Sequence, residues 1–525
     1  MEPLVITNLG GPLTRKNTGD VNSGLAKFSP SWGYDPYSKP GNLTWLEQPT
    51  SILTGVIFPA MKQRTESNIN YIYAIGSNNN LYRVTVNSTS NPDVDSPSVI
   101  SNMGGSADTY VRGGGMTFYG STEKIFLGGD DRVQVVNFNG SSPSVIGTMI
   151  ADSPRPMVNF LGKIYFGNGA NIGEIDSGET ITTAAKLNPA LPSGLVINDL
   201  DITPNGNYLQ ITASRTNSLD AIGGTPADTS SFNATDSFKF YWNGIDASYS
   251  TQETHTGVVL TANLAKGNDN YTFGYDHSGT GIFSGPEKKV SLPDVLNPMP
   301  NAVFSSGNMM GFVAPEYERS ATRFRTGVFH YGQFDDETPH GLYRLARQNA
   351  SLANDTVVAA AVNVSSHMYQ PSQFGLITNI AGTGKIYYST NELPSVTGTN
   401  IQKVWRFRTV PTETNSIMAG VYETQTQLFS KKIKVPEVRI YTEPLIGGND
   451  FVIDLIGSGR SVMAGGSQRF QVATGSVATG TDMVHFNPGM APTYALGVRI
   501  TNSSVTGVAN WTVNKIEVDY DSGGK

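Results

Sequence analysis

The chain is predicted to be all-β: an irregular β-propeller of about six or seven blades, with an extended arm before it and a β-sandwich after it. Three observations carry that expectation. One phrase recurs between about residues 71 and 390: an apolar strand, a Gly/Asn/Asp turn, and a second apolar strand. The 525 residues include 57 glycines and 29 prolines, which suits many turns and few helices. Charged residues are only 15%, while 23 tyrosines, 23 phenylalanines and 5 tryptophans are available to fill a core. A disordered chain of this polarity would lack those aromatics.

The elements follow in order. Residues 1–50 read as an extended arm. Leu4-Val5-Ile6-Thr7 has the composition of one strand. The stretch after it, through Gly10-Gly11-Pro12, Ser29-Pro30-Ser31-Trp32-Gly33-Tyr34 and Pro36-Tyr37-Ser38-Lys39-Pro40, has no period. Aromatics spaced by Pro and Gly suit a segment lying along a surface, its own or a neighbour's; an irregular first blade is the competing reading.

Residues 51–427 carry the hairpins. Tyr71-Ile72-Tyr73-Ala74-Ile75 turns through Gly76-Ser77-Asn78-Asn79-Asn80 into residues 81–86. Lys124-Ile125-Phe126-Leu127 turns through Gly128-Gly129-Asp130-Asp131 into residues 132–136. Lys163-Ile164-Tyr165-Phe166 turns through Gly167-Asn168-Gly169 into residues 172–175. Strands are also expected at 208–212 and 238–242, flanking a long insertion from Ala221 to Asp236. Others are expected at 271–275, 281–283, 310–313, 326–331, 341–345 and 385–388. They alternate with period two, and no regular blade signature such as a recurrent Trp-Asp pair is present.

Residues 428–525 differ. Strands at 438–444, 451–455, 468–472, 495–500 and 511–518, with turn signals between them, suit an antiparallel sandwich. Alternation puts Val438, Ile440 and Thr442 on one face and Arg439 and Tyr441 on the other.

A propeller of irregular blades followed by a small sandwich resembles virion proteins of tailed bacteriophages, especially tail-associated propeller proteins. The opening Leu4-Val5-Ile6-Thr7-Asn8-Leu9-Gly10-Gly11-Pro12-Leu13 looks like the start of such proteins. The strands Val438-Arg439-Ile440-Tyr441-Thr442-Glu443-Pro444-Leu445 and Val513-Asn514-Lys515-Ile516-Glu517-Val518-Asp519-Tyr520 look like the first and last of their sandwiches. The resemblance implies a structural part of a virion, assembled in the host cytoplasm. Its partners would be other virion proteins and copies of itself in a symmetric assembly.

Composition agrees. The net charge of −7 with no basic stripe argues against a nucleic-acid groove. The chain has no cysteine, which excludes disulfides, thiolate metal sites and a Cys nucleophile. Met1-Glu2-Pro3-Leu4 lacks the basic and long apolar regions of a signal peptide. The longest apolar stretch, Val357-Val358-Ala359-Ala360-Ala361-Val362, is too short to cross a bilayer, so no membrane insertion is expected.

Candidate chemistry is sparse. His255, His277, His330, His340, His367 and His485 form no zinc-type pair. Gly382-Thr383-Gly384-Lys385 departs from a phosphate loop: Asn379 stands where its first Gly is needed, Ile386 replaces Ser/Thr, and a strand follows instead of a helix. Acidic clusters occur at Asp93-Val94-Asp95, Asp130-Asp131, Asp335-Asp336-Glu337 and Asp519-Tyr520-Asp521. Clustered carboxylates bind Ca²⁺ or work as acid/base pairs, but Asp in a hairpin turn is favoured for backbone reasons alone. No Ser-x-Asp-x-Gly-x-x-Trp box of sialidase-like propellers and no G-x-S-x-G elbow is present. Trp32, Trp45, Trp242, Trp405 and Trp511 have rings that stack on sugars when exposed, while a Trp in a strand is more often core. No catalytic, cofactor-binding or metal-binding residue is therefore assigned, and no enzyme activity or cofactor is expected. The rival readings are a carbohydrate-binding adhesin for a host surface glycan and a propeller glycosidase.

Overall fold

The computed structural model describes residues 2–6, 34–35 and 42–45, most of 50–215 and 236–282, and, beyond residue 310, the strands named below with some adjoining turns. Those residues are nearly all β.

Five antiparallel sheets follow one another. The first holds Ala60–Glu66, Ile69–Ile75, Asn80–Val86 and Ser96–Asn102. The second holds Gly115–Phe118, Lys124–Gly128, Arg132–Asn137 and Ser144–Thr148. The third holds Met157–Phe160, Lys163–Asn168, Asn171–Ile175 and Ile181–Thr182. The fourth holds Val196–Ile202, Leu209–Ser214, Asp236–Trp242 and Ser250–Thr256. The fifth has three strands, Val258–Lys266, Asp269–Asp276 and Gly279–Ile282.

An eight-stranded sheet comes next. It divides at a parallel pairing of Gly311–Ala314 with His367–Thr378. One half adds Val328–Gly332, Gly341–Ala346 and Asp355–Ala359; the other adds Lys385–Pro394, Ile401–Arg408 and Thr50–Thr54.

This is a propeller, and its last blade takes its outermost strand from early in the chain. The first strands of neighbouring sheets lie side by side from Ala60–Glu66 through Gly115–Phe118, Met157–Phe160 and Val196–Ile202 to Val258–Lys266, and at the other side Gly311–Ala314 pairs with His367–Thr378, which touches Ala60–Glu66. Thr50–Thr54, from the beginning of the chain, pairs with Ile401–Arg408 near its end. Pairing an early strand with a late one in this way ties the start of the ring to its finish.

Period two explains why the sheets stack. In Ile69–Ile75, Tyr73 and Ile75 join one buried cluster, with Ile125, Leu127 and Phe138 of the second sheet. Ile72 and Ala74 join another, with Tyr387 and Val404 of the last. The central strands of these sheets are buried on both faces, so apolar residues follow one another without a polar alternate.

The hairpin Phe160-Leu161-Gly162-Lys163 turns in two residues, with φ of 50° at Leu161 and 75° at Gly162. Such a turn needs positive φ at both central positions. Leucine there is strained by about 1–2 kcal/mol and stands exposed. L161G is expected to raise stability by about 1 kcal/mol; an unchanged urea midpoint would contradict that.

The last part of the chain forms two sheets that share one 16-residue strand, Gln427–Thr442. One sheet contains Gly420–Glu423, Thr493–Asn502, Asn449–Ser458 and Gln468–Val477. The other contains Thr512–Asp521, Met483–Phe486 and three pieces of the first fifty residues, Glu2–Ile6, Tyr34–Asp35 and Leu43–Trp45. Glu2–Ile6 therefore lies on the chain's own C-terminal sheet. Val438, Ile440 and Thr442 are buried, while Arg439 and Tyr441 are only partly so.

Candidate assembly interface

The outer face of that second sheet is built by register. Val5, Glu517, Arg439 and His485 form one row across four strands. Asp519 and Glu437 face each other in the same-face row on one side of it, and Lys515 and Tyr441 in the row on the other.

The charges are tied to one another. Arg439 donates to both oxygens of Asp519 at 2.9 Å, to Glu517 at 3.2 Å and to Glu437 at 2.8 Å. The Tyr441 hydroxyl donates to Glu517 at 2.8 Å, and Lys515 Nζ lies 2.7 Å from the same carboxylate. Lys515 also sits 4.0 Å above the Tyr441 ring. His485, largely exposed, lies 3.4 Å from Glu437. The hydrogen bond from Lys515, helped by those from Tyr441 and Arg439, holds the Glu517 carboxyl below the usual carboxylate range. Exposed pairs add little stability each. Linked through one guanidinium they instead fix the side-chain geometry of a flat polar face.

Two further polar groupings lie in the propeller. At the ring closure, Asp95 accepts from the Tyr387 hydroxyl at 2.6 Å and pairs with Arg406 at 3.4 Å, all three buried. Burial, then the Asp95 charge, pushes the Tyr387 phenol well above its ordinary value. Beside them the Phe58 N–H donates to Ser389 Oγ at 2.9 Å.

Along the first strands, Lys62 Nζ donates to Thr117 Oγ1 at 3.3 Å. Burial lowers its amine, and Asp201 pulls the other way. Asp199 and Asp201, two residues apart after a bulge at Asn198, point to the same side of Val196–Ile202.

The residues singled out in the sequence fall as follows. Asp95 is the buried partner of Arg406, which is not a Ca²⁺ arrangement; Asp93 lies outside the described residues. Asp131 is held by Arg132 at 2.6 and 3.0 Å in the hairpin turn. Asp519 belongs to the outer face just described, and residues 335–337 lie outside the described residues. His255 lies 3.1 Å from Glu253, and the side chains of His277, His330, His340 and His367 are not among those described. Lys385 opens a strand, as expected after the Gly382-Thr383-Gly384 turn, which is itself outside the described residues. Trp242 and Trp405 are buried, so neither offers a ring to a sugar; the side chains of Trp32, Trp45 and Trp511 are not described. Among the described residues no group of three or more His, Asp or Glu could hold a metal ion, and no helix is long and apolar enough to cross a membrane. The Asp199–Asp201 pair and the Arg439 network were missed in the sequence. The only signal for the latter was alternation, which put Arg439 and Tyr441 on one face.

Fold and face together define a β-propeller protein with a two-sheet body built from both chain ends. No family model and no curated protein matches the chain. Among solved structures it is similar to a Trypanosoma rangeli sialidase at 8% identity, over 88% of this chain and 91% of that one, with a TM-score of 0.32. It is similar to a Mycobacterium tuberculosis puromycin-hydrolyzing peptidase at 10% identity, over 72% of this chain and 61% of that one, with a TM-score of 0.34. A Myceliophteria thermophila β-propeller domain aligns at 12% identity, over 41% of this chain and 66% of that one, with a TM-score of 0.24. Such loose superpositions lend this chain no function.

Proposed function

We propose that the chain is a structural component of a tailed-phage virion, tail-associated, which acts by assembling with other virion proteins and with copies of itself. One observation supports this above the rest. The three segments that resemble tail propeller proteins, at residues 4–13, 438–445 and 513–520, lie far apart in sequence. Their strands, Glu2–Ile6, Gln427–Thr442 and Thr512–Asp521, are neighbours in one sheet. Beyond the shared overall plan, the segments that carry the resemblance have their strands in one sheet, which is what a shared docking module would leave. The ordered polar face on that sheet suits contacts made mainly by hydrogen bonds.

Truncation of residues 1–45 tests the proposal. The cut removes Glu2–Ile6 and Leu43–Trp45 and exposes the edge of Thr512–Asp521, yet spares the ring-closing Thr50–Thr54. The truncated chain is expected to lose incorporation into particles while its propeller unfolds at an unchanged temperature. Wild-type occupancy would sink the proposal.

One observation favours a glycosidase instead: Asp199 and Asp201 share a face two residues apart, about 7 Å along the strand, near the spacing of paired catalytic carboxylates. Turnover of a glycan panel that D201N abolishes would support that second reading.

A further inference from the structure

Four seams between neighbouring propeller sheets each hold an apolar cluster, two of them beside a buried arginine whose guanidinium is hydrogen-bonded, Arg155 and Arg406. Ile75 and Leu127 meet in the first, Phe126 and Ile164 in the second, Ile172 and Ile211 in the third, and Ile72 and Val404 in the closing one.

The seam between the fourth and fifth sheets is different. All six residues of Leu209–Ser214 are buried. Leu209, Ile211 and Ala213 join the apolar cluster shared with the third sheet, and the alternate residues Gln210, Thr212 and Ser214 face the fifth. Asn263 of the fifth sheet bonds Gln210 and Thr212 through its side chain, and its N–H donates to Asp199 at 2.6 Å. Asn198 donates to Ser214 and to the Leu260 carbonyl, at 2.7 Å each.

Register then sets Asp199, Thr212, Lys239 and Glu253 in one row, one residue from each strand of the fourth sheet, running from the axis to the rim. Lys239 is 0% exposed and its Nζ has no hydrogen-bond partner. Glu253 Oε1, on the adjacent strand, is buried and has none either.

We propose that this seam is the line along which the propeller ring opens, and that Lys239 and Asp199 gate it by pH. A buried charge whose partners do not make up for its lost hydration destabilises whatever encloses it, so the seam loosens when both Lys239 and Asp199 are charged. Burial pushes the Lys239 amine down to about 8, with Glu253 opposing. Burial and then Asp201 push the Asp199 carboxyl up to about 7, opposed by the N–H groups of Asn263 and Leu200.

The signs follow. The lysine's penalty is full below about 8 and fades as pH rises toward its ordinary 10.5. The aspartate's penalty is absent below its ordinary 3.8, grows with pH, and is full above about 7. Both act together between pH 7 and 8, and the seam tightens on either side. The charged groups facing the row are Asp201 beside Asp199, Lys62 reaching Asp201 from the first sheet, and His255 on Glu253. On the fifth sheet the charged positions are Lys266, Asp269 and Asp276, at strand ends.

Hydrogen exchange of the full chain at pH 6, 7.5 and 9, corrected for intrinsic exchange rates, tests this. Protection of Leu209–Ser214 and Asp236–Trp242, relative to Ile69–Ile75, is expected to be lowest at pH 7.5 and roughly tenfold higher at 6 and at 9. K239M should remove the rise toward pH 9 by raising protection at 7.5. K239R, charged throughout, should stay low at pH 9. D199N should remove the rise toward pH 6. A flat wild-type profile, or wild-type behaviour in both K239R and D199N, would overturn the proposal, and those two variants decide it even where K239M fails to fold.

Discussion

D95A is expected to destabilise the chain by about 3–5 kcal/mol, because it strands the Arg406 guanidinium in the interior. Asp95 precedes the outermost strand of the first sheet, and Tyr387 and Arg406 lie on the two central strands of the sheet that closes the ring. The pair spans 311 residues of sequence, so it acts on ring closure and not on a local hairpin. The surrounding cluster of Phe58, Tyr82, Val84 and Val404 keeps water away, and a guanidinium that lost its carboxylate there would have no solvent to turn to. D95N keeps an acceptor for the Tyr387 hydroxyl and should recover part of the loss. Urea unfolding checks both. A change under about 1 kcal/mol for D95A would mean that the pair is a surface-like ion pair in a buried setting.

The second large effect concerns Arg155, which is fully buried between the second and third sheets. Its guanidinium donates to the carbonyls of Asp130 at 2.6 Å and Pro154 at 3.3 Å, to that of Ile150, and to Ser153 Oγ at 2.7 Å. Burial lowers it to about 10, against the pull of Asp130 and Asp131, so it stays protonated at neutral pH. R155M leaves several buried carbonyls without donors at once and is expected to cost about 3–5 kcal/mol. R155K should recover little, since one ammonium cannot reach acceptors that a planar fork spans. The site tolerates no bulk around it: a Cβ on Gly115 would sit 1.7 Å from the Arg155 carbonyl oxygen. A midpoint for R155M within error of the wild type would refute this reading.

Much of the fold was legible because the middle strands of each sheet are buried on both faces. Residues 71–75, 124–127 and 163–166 are apolar runs bounded by turn residues, and each is a central strand. The axial and rim strands were not legible. Ala60–Glu66 reads Ala-Met-Lys-Gln-Arg-Thr-Glu, polar because one side approaches the axis. Val196–Ile202 loses its period at the Asn198 bulge, and Ser96–Asn102 and Ser144–Thr148 are polar rim strands. Thr50–Thr54 carries no local sign of its partner, some 350 residues downstream. In the C-terminal part, the strand at 438–444 was read, but not the 16-residue element that joins both sheets, because Lys431, Lys432 and Lys434 interrupt its apolar pattern on an exposed stretch. The polar groupings escaped for the same reason: Asp95, Arg406, Arg439 and Asp519 meet only through pairing across the fold.

The central claim, the proposed structural role in a virion, is tested most directly by imaging purified particles of whatever virus is found to encode the chain. The account predicts several copies in a symmetric arrangement on the tail, with the face around Arg439 and Glu517 against a neighbouring subunit. Particles that lack the chain while the infected-cell lysate contains it would contradict the claim.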